Sequence, residues 1–170
     1  MTGRLTRRPG GAARLRVLLD AGRTLVAPGA FDALSARLVE EAGFPAVYMT
    51  GFGTSAALIG RPDVGLLTMT EMAASAGRIA DCVDIPVIAD ADTGYGNPLN
   101  VIRTVGAYEA AGVAGIHIED QVAPKKCGHM EGKQVIPPGP TRGPWKAWSE
   151  PFSAGGCTAR PGPMRCSSRP

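Results

Sequence analysis

The 170-residue sequence predicts an α/β fold built on a parallel sheet, and three observations point to it. Short, almost wholly apolar runs alternate with segments of helical period, the pattern of strands joined by helical crossovers and buried on both faces. Polar and acidic residues stand just after the runs: Thr50, then Asp90 with Asp92, then Glu119 with Asp120. In a β/α (TIM-type) barrel that position is the catalytic rim, where loops at the C-terminal strand ends meet the ligand. Four such strand–helix units are half of an eight-unit barrel, so an incomplete barrel is expected over residues 11–136.

Taken in order, Thr24-Leu25-Val26-Ala27 reads as a first strand ending at Pro28-Gly29. Phe31, Leu34 and Leu38 then mark one face of a helix that stops at Gly43. Ala46-Val47-Tyr48-Met49 is the second strand, followed by a long Gly-rich loop. Thr68 with Glu71 forms a capping box that opens a helix running to about Val83. Pro86-Val87-Ile88-Ala89 is the third strand. Asn97 caps the next helix with Pro98 at its first position, and Val101, Val105 and Tyr108 line its inner face. Gly112 ends it, and Ala114-Gly115-Ile116-His117-Ile118 is the fourth strand.

Composition bounds the function classes. With 44% hydrophobic and 19% charged residues the chain is ordinary globular material. No apolar run approaches 18 residues, so neither a transmembrane helix nor a membrane partner is expected. The N-terminus is Arg-rich and acid-poor as far as Asp20, but Val17-Leu18-Leu19 is too short for a secretory core. A cytoplasmic location is expected, with a transit peptide as the alternative. Residues 1–136 hold 13 Lys and Arg against 14 Asp and Glu, so the net charge of +3 comes from the tail. That distribution argues against a nucleic-acid partner. Cys82, Cys127, Cys157 and Cys166 form no CxxC pair, which argues against a zinc site or a disulfide framework. Beyond Ile136, 13 of 34 residues are Pro or Gly and periodicity ends. Residues 137–170 therefore read as a disordered tail, from a shifted reading frame or an unrelated fused end.

Several motifs carry chemistry, and each has a plainer reading beside it. Gly51-Phe52-Gly53-Thr54-Ser55-Ala56 fits G-x-G-x-x-A. Gly60, Pro62 and Gly65 leave no clean helix after it, and no acid-tipped strand follows at dinucleotide spacing. Asp92-Thr93-Gly94 matches the aspartic-protease string, but in the wrong fold class. Asp90 and Asp92 put two carboxylates at and just past a buried strand end, followed by glycines for a tight loop. Adjacent negative charges need a compensating cation, and Mg²⁺ prefers one or two carboxylates plus waters. The plainer reading is a pair of loop-capping aspartates. Glu119 is either a third acid beside them or a strand terminator. His117, between Ile116 and Ile118, reads as an inward-pointing core residue. In Lys125-Lys126-Cys127-Gly128-His129, flanking cations would stabilise a Cys127 thiolate. The plainer reading is an exposed basic turn with an incidental thiol.

Together, Tyr48-Met49-Thr50-Gly51, Asp90-Ala91-Asp92-Thr93-Gly94-Tyr95-Gly96, His117-Ile118-Glu119-Asp120-Gln121 and Lys125-Lys126-Cys127-Gly128-His129 resemble the isocitrate lyase/phosphoenolpyruvate mutase superfamily. The opening Val26-Ala27-Pro28-Gly29-Ala30-Phe31-Asp32-Ala33 resembles its smaller members, the methylisocitrate and dimethylmalate lyases. Cys127 stands where the mutases carry Asn, which favours the lyase branch. The resemblance implies Mg²⁺-dependent cleavage (Mn²⁺ as the alternative ion) of a small 2-hydroxy acid to an α-keto acid and a carboxylic acid. It implies Asp90 and Asp92 at the metal, Glu119 acting through a bound water, and Asp63 from a mobile loop. Thr50, Gly51 and Phe52 would cradle one substrate carboxylate, and Gly128 and His129 would hold another. Cys127 would protonate the carbon left by C–C cleavage, and Tyr48 would help deprotonate the hydroxyl. Phosphonomutase, oxaloacetate decarboxylase and non-catalytic fragment are the alternatives. Further family site residues come from the fifth strand onward, and Arg142 or Glu150 do not supply them. The family is homo-oligomeric. The chain is therefore expected to be inactive alone and to self-associate through open sheet edges.

Overall fold

The computed structural model describes residues 10–137, so the expectations for the tail fall outside it apart from Pro137. Nine elements follow in order: α1 (Gly11–Asp20), β1 (Gly29–Ala30), α2 (Ala33–Glu41), β2 (Val47–Met49), α3 (Gly51–Ile59), α4 (Met69–Cys82), β3 (Val87–Asp90), α5 (Pro98–Ala111) and β4 (Gly115–His117). The strands form one parallel sheet in the order β1-β2-β3-β4, with Tyr48 opposite Ile88 and Asp90 opposite His117. A doubly wound sheet reverses its strand order at a switch point, whereas a barrel does not. The unreversed order is that of a barrel segment.

Alternation along the strands separates packing from chemistry. Val47, Met49, Val87 and Ala89 are buried in a core with Ala36, Met72, Ala76, Ile79, Ala80 and Tyr108 from α2, α4 and α5. Residues of the opposite parity, Tyr48, Ile88, Asp90 and His117, share the other face. In a closed barrel that face is the interior. The helices begin where their caps dictate. Asp32 accepts from the Ser35 amide at 2.7 Å, Thr68 and Glu71 form the expected capping box, and Asn97 accepts from the Leu99 and Asn100 amides.

The structure corrects the sequence reading in several places. The first strand is not Thr24–Ala27 but Gly29–Ala30, because backbone pairing with β2 begins at the Pro28 carbonyl, which accepts from the Tyr48 amide at 2.9 Å. Gly11–Asp20, to which the sequence reading assigns no element, forms α1, whose Arg14 guanidinium donates to the Asp84 carbonyl at 2.9 Å. Leu15 of that helix packs against Gly115, at the opposite end of the sheet from Asp90. The Gly-rich stretch after β2 is the helix α3, not a loop. Phe31, Leu34 and Leu38 are 42%, 64% and 58% exposed, because α2 turns the small Ala36 inward instead. On α5 the buried positions are Thr104 and Tyr108, and Val105 is exposed. His117 is exposed as well, since it lies on the sheet face opposite the helices.

Candidate functional site

Chemistry gathers at the C-terminal strand ends. Asp90 closes β3, Asp92 lies two residues beyond it, and Asp63 comes from the α3–α4 connection. All three are buried, and one carboxylate oxygen from each lies within 4.8 Å of the others. Local backbone geometry builds this group. Asp92 sits at φ 47°, a left-handed conformation that aspartate tolerates, and its amide donates to Asp90 Oδ1 at 2.9 Å. The Gly51 amide donates to Asp90 Oδ2 at 3.2 Å. A Cβ on Gly51 would collide with that carboxylate, so glycine at the first position of α3 serves close approach. This explains the G-x-G-x-x-A match without a nucleotide.

A hydroxyl chain steadies Asp90 from behind. The Tyr108 hydroxyl donates to the Asp90 carbonyl at 3.1 Å and lies 3.1 Å from the Tyr95 hydroxyl. Thr104 donates to the Gly94 carbonyl at 3.0 Å, pinning the glycine loop to α5. Burial, reinforced by the carboxylates, pushes the Tyr95 and Tyr108 phenols well above their ordinary values, so both remain neutral hydroxyls.

The cations go elsewhere than the sequence suggests. Lys125, only 5% exposed, places Nζ 2.5 Å from Asp63 Oδ1 and forms a second ion pair with Asp92 Oδ1. Lys126 Nζ donates to the Glu131 and Gly132 carbonyls at 3.2 and 3.1 Å. The flanking lysines are therefore spent on the acids and the loop, not on Cys127. The buried Cys127 Sγ instead lies 3.4 Å from His129 Nδ1. Burial alone lowers the Lys125 ammonium, but its hydrogen bonds to Asp63 and Asp92 outweigh that and raise it. Burial raises the Asp92 carboxyl despite Lys125, with Asp90 and Asp63 adding to the effect. The carboxylates thus hold the Lys125 ammonium protonated, while burial is the main reason the Asp92 carboxyl is raised.

The remaining expected residues ring this group. Thr50 is the N-cap of α3, its hydroxyl accepting from the Gly53 amide at 3.2 Å. The exposed Phe52 of α3 meets the His129 ring edge-on at 5.4 Å, so the first turn of α3 touches the segment after β4. Tyr48 brings its hydroxyl 3.2 Å from His117 Nδ1. Burial, then Asp90 and Glu119, push its phenol far above the ordinary value. Glu119 is outside the three-carboxylate group. Its amide donates to the Asp92 carbonyl at 2.7 Å, and its side chain accepts from Gln121 Nε2. Gly128 is exposed beside His129.

Sequence reasoning assigns no role to Gln121 or Tyr108 within the site, and it sets Lys125 beside the Cys127 thiol, not among the acids. Gln121 clamps Lys126 through both its amide and its carbonyl, each at 2.9 Å, and so sets the pose of the Cys127 loop. The signal for Lys125 is its own motif, in which adjacency along the chain points to the thiol and not to the acids. Tyr108 carries only a packing signal.

The profile of the family described as phosphoenolpyruvate phosphomutase matches residues 15–139. Over 125 residues the chain is 59% identical to 2,3-dimethylmalate lyase of Eubacterium barkeri, covering 74% of this chain and 43% of that protein. It is 54% identical over 125 residues to the chloroplastic carboxyvinyl-carboxyphosphonate phosphorylmutase of Arabidopsis thaliana, covering 73% and 37%. The solved structure of phosphonopyruvate hydrolase complexed with oxalate and Mg²⁺ aligns with a TM-score of 0.65 at 42% identity, covering 68% of this chain and 41% of that one. The chain thus spans about two-fifths of the length of these curated relatives.

Proposed function

The chain belongs to the isocitrate lyase/phosphoenolpyruvate mutase superfamily, and from that premise we propose that it carries the metal-site part of a Mg²⁺-dependent carbon–carbon lyase acting on a small 2-hydroxy acid. The substrate class is an alkylmalate or methylisocitrate, cleaved to an α-keto acid and a carboxylic acid. The observation that carries this reading is the buried Asp63, Asp90 and Asp92 group at the strand ends. Its donors are hard oxygens, its charge exceeds what Lys125 neutralises, and Gly51 lets the Asp90 carboxylate pack close against the start of α3, all of which suit Mg²⁺. Mn²⁺ would be accepted on the same grounds.

Asp90 and Asp92 would hold the ion, with Asp63 beside them and Glu119 reaching it through water. When bound, Mg²⁺ supplies a Lewis acid for the oxygens on which negative charge develops. The first turn of α3 offers backbone N–H groups and the Thr50 hydroxyl proton to a substrate carboxylate, with Gly51 and Phe52 forming the wall. Gly128 and His129 bind the second carboxylate. Tyr48 hydrogen-bonds the reacting hydroxyl, and its contact with His117 Nδ1 provides an exit for the proton. As the C–C bond breaks, its electron pair stays on the carbon bearing the departing carboxylate. The Cys127 thiol gives that carbon a proton, and His129, 3.4 Å away, can restore it.

A phosphonomutase is the second reading, favoured by the 54% identity to the phosphorylmutase. A chimera that joins residues 1–136 to the C-terminal part of 2,3-dimethylmalate lyase discriminates between the two. Keto-acid release from alkylmalates or methylisocitrate with Mg²⁺ is expected. Turnover confined to phosphonates or oxaloacetate would replace the lyase reading.

A further inference from the structure

The carboxylate group already contains a cation. The Lys125 ammonium contacts two of its three acids, at 2.5 Å from Asp63 Oδ1 and paired with Asp92 Oδ1, with its side chain almost wholly withdrawn from solvent. We propose that Lys125 is a displaceable counter-ion: its ammonium and a divalent cation compete for the same carboxylate oxygens, so metal entry expels the lysine side chain. This rests on the metal-dependent reading above, but it concerns how the site is held and filled.

Three buried carboxylates with no cation would repel one another and drive the Asp63 loop away from β3. Lys125 holds them together, so the site is pre-assembled before a metal arrives. The same contact makes metal binding weaker, because a dication cannot take Asp92 and Asp63 while an ammonium occupies the space between them. Displacement does not require the loop to move. Its backbone neighbour Lys126 is fixed by Gln121 through both main-chain groups, so the loop stays anchored while the flexible Lys125 stem swings out.

The test uses the 170-residue chain with Mg²⁺ alone as the probe, in wild type, Lys125→Met and Lys125→Arg. Titration calorimetry should give Lys125→Met at least ten-fold tighter Mg²⁺ binding than wild type, with Lys125→Arg close to wild type. Equal or weaker binding by Lys125→Met overturns the proposal while leaving the metal-dependent reading intact. Absence of Mg²⁺ binding by both wild type and Lys125→Met removes both. A measurement on the wild type guards against a variant that does not fold. Amine labelling of Lys125, read by peptide mass spectrometry, should rise several-fold on saturation with Mg²⁺ relative to Lys133. Unchanged or reduced labelling overturns the proposal.

Discussion

Gly51 shows how much a missing side chain can decide. Its amide binds Asp90, and any Cβ there would enter the Asp90 carboxylate and approach Asp63 Oδ2 to 3.5 Å. Gly51→Ala is therefore expected to cost about 1–3 kcal/mol of stability through overpacking. Mg²⁺ affinity should fall at least ten-fold, measured by denaturant unfolding and metal titration on the same sample. Cys127→Ser has the opposite profile. The thiol lies outside the carboxylate group, beside His129. In the chimeric enzyme this change should lower turnover about 100-fold or more, the usual size of a lost general acid, while Mg²⁺ binding stays within two-fold. Equal losses in binding and turnover would contradict the role given to Cys127.

At the scale of elements, the caps are the strongest link between sequence and structure. The Asp32 carboxyl is held below its ordinary value by the Ser35 amide and then the Ser35 hydroxyl. That of Glu71 is lowered by the Thr68 amide and then its hydroxyl. A carboxyl depressed in the folded state contributes stability that is present above its unfolded value, near pH 4. That contribution is lost as pH falls through the lower folded value. Stability should therefore decline as the pH drops below about 5, and a double Asp32→Asn, Glu71→Gln variant should show a shallower decline in urea midpoints. Thr68→Ala, which removes the α4 cap at any pH, should cost about 1 kcal/mol. The Thr68–Glu71 box and the Asn97 cap are legible in the sequence because each is local, spanning three residues. The helix α3 is not, because its two glycines argue against a helix on propensity. What fixes it is a distant partner: Gly51 must clear Asp90, thirty-nine residues away, and a Cβ on Gly53 would press on Thr50 and Phe31.

For the whole molecule, the sheet has β1 and β4 at its edges among the described residues, and the face carrying Tyr48 and His117 has no helix layer. Unpaired strand edges and exposed Phe31, Leu34 and Leu38 are surfaces that proteins usually cover. The 170-residue chain is expected to self-associate, seen as a mass above the monomer's 17.6 kDa in light scattering after gel filtration. The chimera carrying the C-terminal part of 2,3-dimethylmalate lyase should instead give one discrete species. A strictly monomeric 170-residue chain at tens of micromolar would contradict this. Among the described residues no helix is long and apolar enough to cross a membrane.

By itself the sequence determined the strand–helix alternation, the helix caps at Thr68 and Asn97, and the acids at the strand ends. Each of these is a property of residues close together along the chain. Tertiary structure alone decided three matters. Strand pairing selected Gly29–Ala30 over the more apolar Leu25-Val26, because a strand exists only where a neighbour accepts its hydrogen bonds. Packing turned Ala36 inward and left the larger leucines of α2 outside, because a helix buries whichever face its neighbours can accommodate. Lys125 went to Asp63 and Asp92 and not to the adjacent Cys127, because a buried ammonium follows the strongest negative potential in space, not its neighbours in sequence.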